Sequence, residues 1–193
     1  TVQAETFVKV TDPATLQDGD QVLLGYADMN HVSAGFSDTK KYIDVTTATF
    51  TSDDVTLSEP TIITLQKSGS YWNLYIGTKP VGHASGSSDL DTKYRYTTDF
   101  AITIENGNAK IISQTPGKNN NEVFFAYNPS SPRFALYHAG SNMKTISLYR
   151  LDETTIPDVV VTEVSLDPAE LSLRVGEQAS LTATLTPADA VDK

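Results

Sequence analysis

The sequence predicts an all-β protein, most of it an antiparallel β-barrel of about ten short strands. Three observations carry this expectation. Apolar and polar residues alternate with a period of two along most of the chain. β-Branched and aromatic residues fill the alternating runs, and Gly, Pro, Asn and Asp punctuate them at short intervals. Sustained helical periodicity is hard to find.

In chain order, "ETFVKV" reads as the first strand, and "DPATLQDGD" supplies a Pro and an Asp-Gly turn before the apolar "QVLLGYA". "KYIDVTTATFTSDDVTL" places Val45, Thr46, Thr47 and Thr49 close together, and their stiff branched side chains favour a strand over a helix. "TIITLQKSGSYWNLYIG" reads as a hairpin turned at "KSGS". In "DFAITIENGNAKIIS", Phe100, Ile102 and Ile104 share a face, Asn106-Gly107 makes the turn, and Ile111 or Ile112 returns beneath them. "NEVFFAY", "RFALYHA" and "KTISLYRL" repeat the pattern, with "NPSSP" joining the first two.

After Leu151 the texture changes. "DETTIPDVVVTE" is polar, carries Pro157 and has no aromatic residue, and no Phe, Tyr or Trp follows it. The expected division is a barrel module at 1–152, a linker at 153–157 and a second domain's opening fragment at 158–193. In that fragment the strand Val164 to Leu166, Pro168, the strand Leu171 to Leu173, the turn Val175 to Glu177 and the strand Leu181 to Pro187 follow one another. The series resembles the start of the bacterial immunoglobulin-like group 2 (BIG2) domain. That resemblance implies a partial immunoglobulin-like β-sandwich, serving as a spacer or adhesive stalk with no chemistry of its own. Three strands from one edge of a sandwich leave their apolar face uncovered, so a domain cut short is the expectation.

The larger part also has a likeness. "FVKVTDPATLQDGDQVLLGY", "YWNLYIGTKPVG" and "FFAYNPSSPRFALYHAGSNMKTISLYRL" are similar to a module of secreted multidomain Bacteroidetes proteins. Its exit sets Tyr127-Asn128 before Arg133, Phe134 and Tyr137, then closes with Leu148 to Arg150. The likeness implies an antiparallel barrel of unassigned role over residues 5–151, exported to the extracellular space or the outer-membrane surface with its signal removed.

Composition narrows the function. The formal charge is −10, and no Lys/Arg cluster offers the basic footprint that a nucleic acid needs. Residues 158–193 hold seven acids and two bases, which leaves 17 acids and 12 bases upstream, so the surplus is spread evenly. The chain has no cysteine, which removes disulfides, zinc–thiolate sites and thiol nucleophiles. No apolar run approaches the roughly 20 residues of a membrane-spanning helix.

Few residues invite chemistry. "GHASG" misplaces Ser85 for a nucleophile elbow, which needs Gly-x-Ser-x-Gly at a strand-to-helix turn, and a flexible Gly/Ser loop is the expected reading. His31, His83 and His138 lack metal-ligand spacing and are expected at the surface or at strand ends. Asp89 and Asp91 open like a calcium loop, but the later ligands of one are missing; a solvated loop with a weak calcium option remains. Asp44, Asp99 and Glu122 fall at strand ends, so no carboxylate pair suits a glycosidase. The expectation is therefore no catalytic residues, no metal and no cofactor.

The aromatic residues give the functional lead. Alternation in "YWNLYIG" puts Trp72, Leu74 and Ile76 on one face and Tyr71, Asn73 and Tyr75 on the other. Two tyrosine rings flanking an amide suit stacking on sugar faces, and Tyr94, Tyr96, Tyr127 and Tyr137 extend the patch if their strands are neighbours. The same tyrosines also suit a barrel's surface or interior. The sequence reads as a non-catalytic binding or adhesion module that recognises a glycan or another surface protein; the alternative is an accessory domain of a larger secreted hydrolase, such as a nuclease.

Overall fold

The structure, a computed structural model, describes residues 4–37, 41–91, 93–155, 163–168, 170–180 and 182–186. The chain separates into two compact units, residues 1–155 and 156–193.

The first unit is all-β, with fourteen strands in one antiparallel sheet. They are β1 (Glu5–Lys9), β2 (Gln21–Tyr26), β3 (His31–Ser37), β4 (Tyr42–Thr47), β5 (Thr49–Phe50), β6 (Asp54–Leu57), β7 (Ile63–Ser68), β8 (Tyr71–Ile76), β9 (Lys79–Pro80), β10 (Phe100–Glu105), β11 (Asn108–Ser113), β12 (Val123–Tyr127), β13 (Phe134–His138) and β14 (Ser147–Leu151). Among the described residues no helix is long and apolar enough to cross a membrane.

The pairings run round a ring of nine strands, β2, β3, β4, β13, β12, β11, β10, β8 and β7, and the ring is not closed as a barrel. The reason lies in β2. β14 holds one edge of β2 continuously from Val22 to Gly25. β7 pairs Ile63 with Val22 and β3 pairs Val32 with Gly25, so both take the opposite edge of the same strand. A closed barrel gives each neighbour an edge of its own. The hairpins also meet at corners of a single register pair: Phe100 with Trp72, Ile112 with Phe124, and Phe134 with Ile43.

The hairpins follow the alternation. Asn106 and Gly107, both at positive φ, turn β10 into β11 and set Ile102 opposite Ile111. Phe100 and Ile111 are fully buried, and Trp72 and Leu74 enter the same core from β8. β2 is apolar on both faces because it serves two cores. Val22 and Leu24 join the large core inside the ring, while Leu23 joins Phe7, Val32, Val55, Leu57 and Tyr149 in a smaller one outside it. The strands β14, β1, β6 and β5 lead out of the ring and carry this outer layer. Gly25 lies flat beneath it: a Cβ there would stand 2.5 Å from a ring carbon of Tyr149.

Between β9 and β10 the described residues of 81–99 form no strand, yet several of them are buried. Val81, His83, Leu90, Asp91 and Thr98 are buried. The His83 amide donates to Thr98 Oγ1 (3.0 Å), the Asp91 amide to the Gly82 carbonyl (2.6 Å) and the Leu90 amide to the Lys41 carbonyl (3.0 Å). Gly82 is required here, since a Cβ would lie 2.3 Å from the Tyr96 carbonyl oxygen. The loop expected from "GHASGSSD" is pinned at its ends, by buried His83 within it and by Leu90 just after it, while Ser85, Gly86 and Asp89 between them are exposed.

In the second unit the described strands are β15 (Glu163–Asp167) and β16 (Thr182–Thr186), paired antiparallel with Val164 opposite Leu185. The turn expected at Val175 to Glu177 is present, closed by the Arg174 amide on Glu177 Oε2 (2.9 Å). The strand expected at Leu171 to Leu173 is not formed; the two-stranded sheet offers it no partner. Leu181 and Pro187, at the ends of the last expected strand, lie outside the described residues.

Candidate functional site

The sequence-predicted patch on β8 has the expected alternation. Trp72 and Leu74 point into the core while Tyr71, Asn73 and Tyr75 stay outside or half-buried. The amide of Asn73, however, serves the fold: Nδ2 donates to Asp99 Oδ1 (2.7 Å) and to the Thr98 carbonyl (3.2 Å), tying the end of the 81–99 segment to β8. Tyr71 and Tyr75 stand about 13 Å apart along the strand. Tyr127 and Tyr137 do not extend this row, for β10 and β11 lie between β8 and β12. Tyr127 is fully buried instead, stacked on Tyr26 at 4.3 Å between ring centres, with its hydroxyl 2.6 Å from His31 Nδ1. Burial pushes the Tyr127 phenol above its usual pKa. Tyr94 packs edge-on against Phe36 and lies beneath the Lys79 ammonium.

The histidines are dispersed. His31 is half-buried on Tyr127, and His138 is exposed with Nδ1 2.7 Å from the Ala139 carbonyl. His83 departs from expectation: it is 2% exposed, its Nε2 has no hydrogen-bond partner, and burial pushes its pKa below the ordinary value. The two candidate calcium carboxylates are held by other groups. Asp89 pairs with Lys41 Nζ at 3.2 Å, while Asp91 accepts the Arg95 and Lys93 amides (2.6 and 3.2 Å) and the Arg95 guanidinium (3.3 Å). Burial acts to raise the Asp91 pKa, but the bonds from Arg95 and Lys93 outweigh it and hold the carboxyl below its usual range. Among the described residues no group of three or more His, Cys, Asp or Glu side chains is placed to hold a metal ion.

A better-built site lies on the outer face of β13. Phe134 and Leu136 enter the core, so Arg133, Ala135 and Tyr137 share the opposite face. The small Ala135 between two large side chains opens a hollow of about 280 Å³, bounded by Tyr42, Lys41, Ser88, Asp89 and His138. Tyr42 comes from β4, which meets β13 at Ile43–Phe134, and its ring lies 4.9 Å from the Arg133 guanidinium carbon.

The far side of this arrangement is fixed by Asn128. Its Oδ1 accepts the Ser130 and Ser131 amides (3.1 Å each), shaping the 128–133 turn, and its Nδ2 donates to the Tyr137 hydroxyl (3.2 Å). Arg133 Nε donates to that same hydroxyl at 3.2 Å. With both lone pairs of the phenol oxygen used, its O–H is left to donate, and Tyr137 borders the hollow. The bond to Tyr137 raises the Arg133 pKa, so the guanidinium stays charged. Arg133 takes part in none of the ion pairs among the described residues, which are Lys41–Asp89, Arg95–Asp91, Lys110–Glu122 and Arg150–Asp20.

Asn128, Arg133 and Tyr137 all fall in "FFAYNPSSPRFALYHAGSNMKTISLYRL". Their convergence was the part missed. The available signal was Arg133 and Tyr137 at even spacing around a small residue, which places them on one strand face. No known protein family, no curated protein and no solved structure matches this chain.

Proposed function

We infer that the first unit is a non-catalytic binding module of an exported protein, held at the cell surface or released, and that it recognises a saccharide in the Arg133–Tyr137 hollow. One observation carries the reading: a half-buried arginine with no carboxylate partner among the described residues lies over the Tyr42 ring and donates to a phenol hydroxyl that borders an open hollow. An aromatic wall with a few fixed polar groups is the make-up of a small-ligand site, and its volume lies near the lower end of the usual range, roughly 300–1,000 Å³. That suits a single ring or the end of a chain. Tyrosine supplies both a face for stacking and a hydroxyl for hydrogen bonding.

A glycan array and calorimetric titration of the full chain with common polysaccharides test the reading. Binding that weakens in Tyr137→Phe, which keeps the ring and removes the O–H, supports it. Silence across both measurements removes it, and binding indifferent to Tyr137→Phe places the site elsewhere.

A further inference from the structure

Resting on that reading, we propose that the recognised saccharide is acidic, and that its carboxylate seats on Arg133 beside the Tyr137 hydroxyl.

Charge distribution is the first ground. In a chain with 24 acids and 14 bases, carboxylates are in surplus, and several cations that line hollows are paired with one. Arg150 pairs with Asp20 and Lys110 with Glu122, each at the side of its own cavity. In its own hollow Lys41 pairs with Asp89, whereas Arg133 has no such partner among the described residues. A second hollow of about 350 Å³ shares Lys41 and Asp89 with the first and adds Lys93, Arg95 and Asp91. Together the two hollows carry Lys41, Lys93, Arg95 and Arg133 against two carboxylates, a local positive excess on an acidic molecule. Beyond about 8 Å, salt screens the repulsion of the remaining surface, so contact charges decide what is held.

Donor geometry is the second ground. A guanidinium carries five N–H groups. Nε is used on Tyr137, Nη1 reaches Ser131 Oγ at 3.3 Å, and the Tyr42 hydroxyl takes another, which leaves a pair for a ligand. With the Tyr137 O–H, the Arg133 end of the hollow presents donors, and the one carboxylate of the lining, Asp89, is held by Lys41 across it. A ligand carboxylate accepts from these donors, and its two oxygens match the fork of a guanidinium. The second hollow beside it, with Lys93 and Arg95, suits further residues of an acidic chain.

Calorimetric titration of the full chain with a galacturonate oligomer, the uncharged galactose oligomer, a sulfated galactan and a short alanine peptide separates the possibilities. Charge-assisted hydrogen bonds correspond to about 10- to 100-fold in affinity, so the uronate is expected to bind that much more tightly than its neutral counterpart. Arg133→Gln is expected to abolish the preference for the uronate, with Arg133→Lys intermediate because it keeps the charge without the fork. Circular dichroism establishes that both variants are folded. Equal binding of neutral and acidic oligomers overturns the acidic assignment and leaves the saccharide reading standing. Sulfated galactan or the peptide binding as tightly as the uronate also overturns it. Failure of every saccharide removes both.

Discussion

Replacing Asn128 separates what shapes the site from what binds in it. Asn128→Ala removes three hydrogen bonds at a residue 8% exposed: two from the Ser130 and Ser131 amides and one to the Tyr137 hydroxyl. At about 1 kcal/mol net for each, the loss is about 2–3 kcal/mol. A unit of this size shifts by about 2–4 °C per kcal/mol, so the melting temperature should fall by roughly 4–12 °C. Asn128→Asp keeps the acceptor that shapes the turn but turns the third bond round, since a carboxylate accepts the phenol proton that the ligand would otherwise receive. The new charge also stands beside Arg133, joined to it through one hydroxyl. Melting should then stay within about 3 °C of the parent at neutral pH while affinity for an acidic saccharide falls at least about tenfold. Differential scanning calorimetry and titration of the three proteins measure both quantities. If the Ala and Asp variants melt together, the turn bonds contribute nothing; if the Asp variant binds like the parent, the Tyr137 hydroxyl is not used.

Three further outcomes follow from the fold. His83 is held neutral by burial, whereas the unfolded chain takes up its proton near pH 6.5, so stability should decline as pH drops below that value, by at most about 1.4 kcal/mol per pH unit, until the native imidazole titrates. Urea melts between pH 7.5 and 5 show this, and identical profiles for His83→Leu and the parent would refute it. Gly25→Ala, whose Cβ meets the Tyr149 ring, should lose about 1–3 kcal/mol, read as a lowered urea midpoint; an unchanged midpoint means the outer layer is not clamped there. Tyr71→Ala with Tyr75→Ala should leave saccharide affinity within about twofold, since neither borders the Arg133 hollow; a larger loss returns the site to β8.

Strand pairing was most legible where alternation and turn chemistry agreed. Asn106-Gly107 and the Phe100, Ile102, Ile111 face could be read directly, as could the Trp72 face of β8. β3 could not. Its buried positions include Ser33, Gly35 and Ser37, and a bulge between Ser33 and Phe36, with Gly35 at φ +106°, breaks the period, so its inward face carries almost no apolar signal. The open ring was hidden for another reason: which edge of β2 each neighbour takes depends on β14, more than 120 residues away. The candidate site shows the same divide. Arg133 and Tyr137 on one face follow from spacing, but the Tyr42 wall depends on a single corner pairing and the Asp89 wall on a loop whose fold is set by His83 and Asp91.

β1 lies next to β14, with Phe7 opposite Leu151, so the polypeptide enters and leaves the first unit side by side. Threaded in a longer chain, such a body adds only about one strand spacing, near 4.8 Å, to the distance spanned, and hangs off the line as a pendant. Tension on both tails would act at the same end of the antiparallel pair and peel its hydrogen bonds apart in succession, with no row of them sharing the load. A tether built this way yields to force early, opening at its stem while the Arg133 face remains folded.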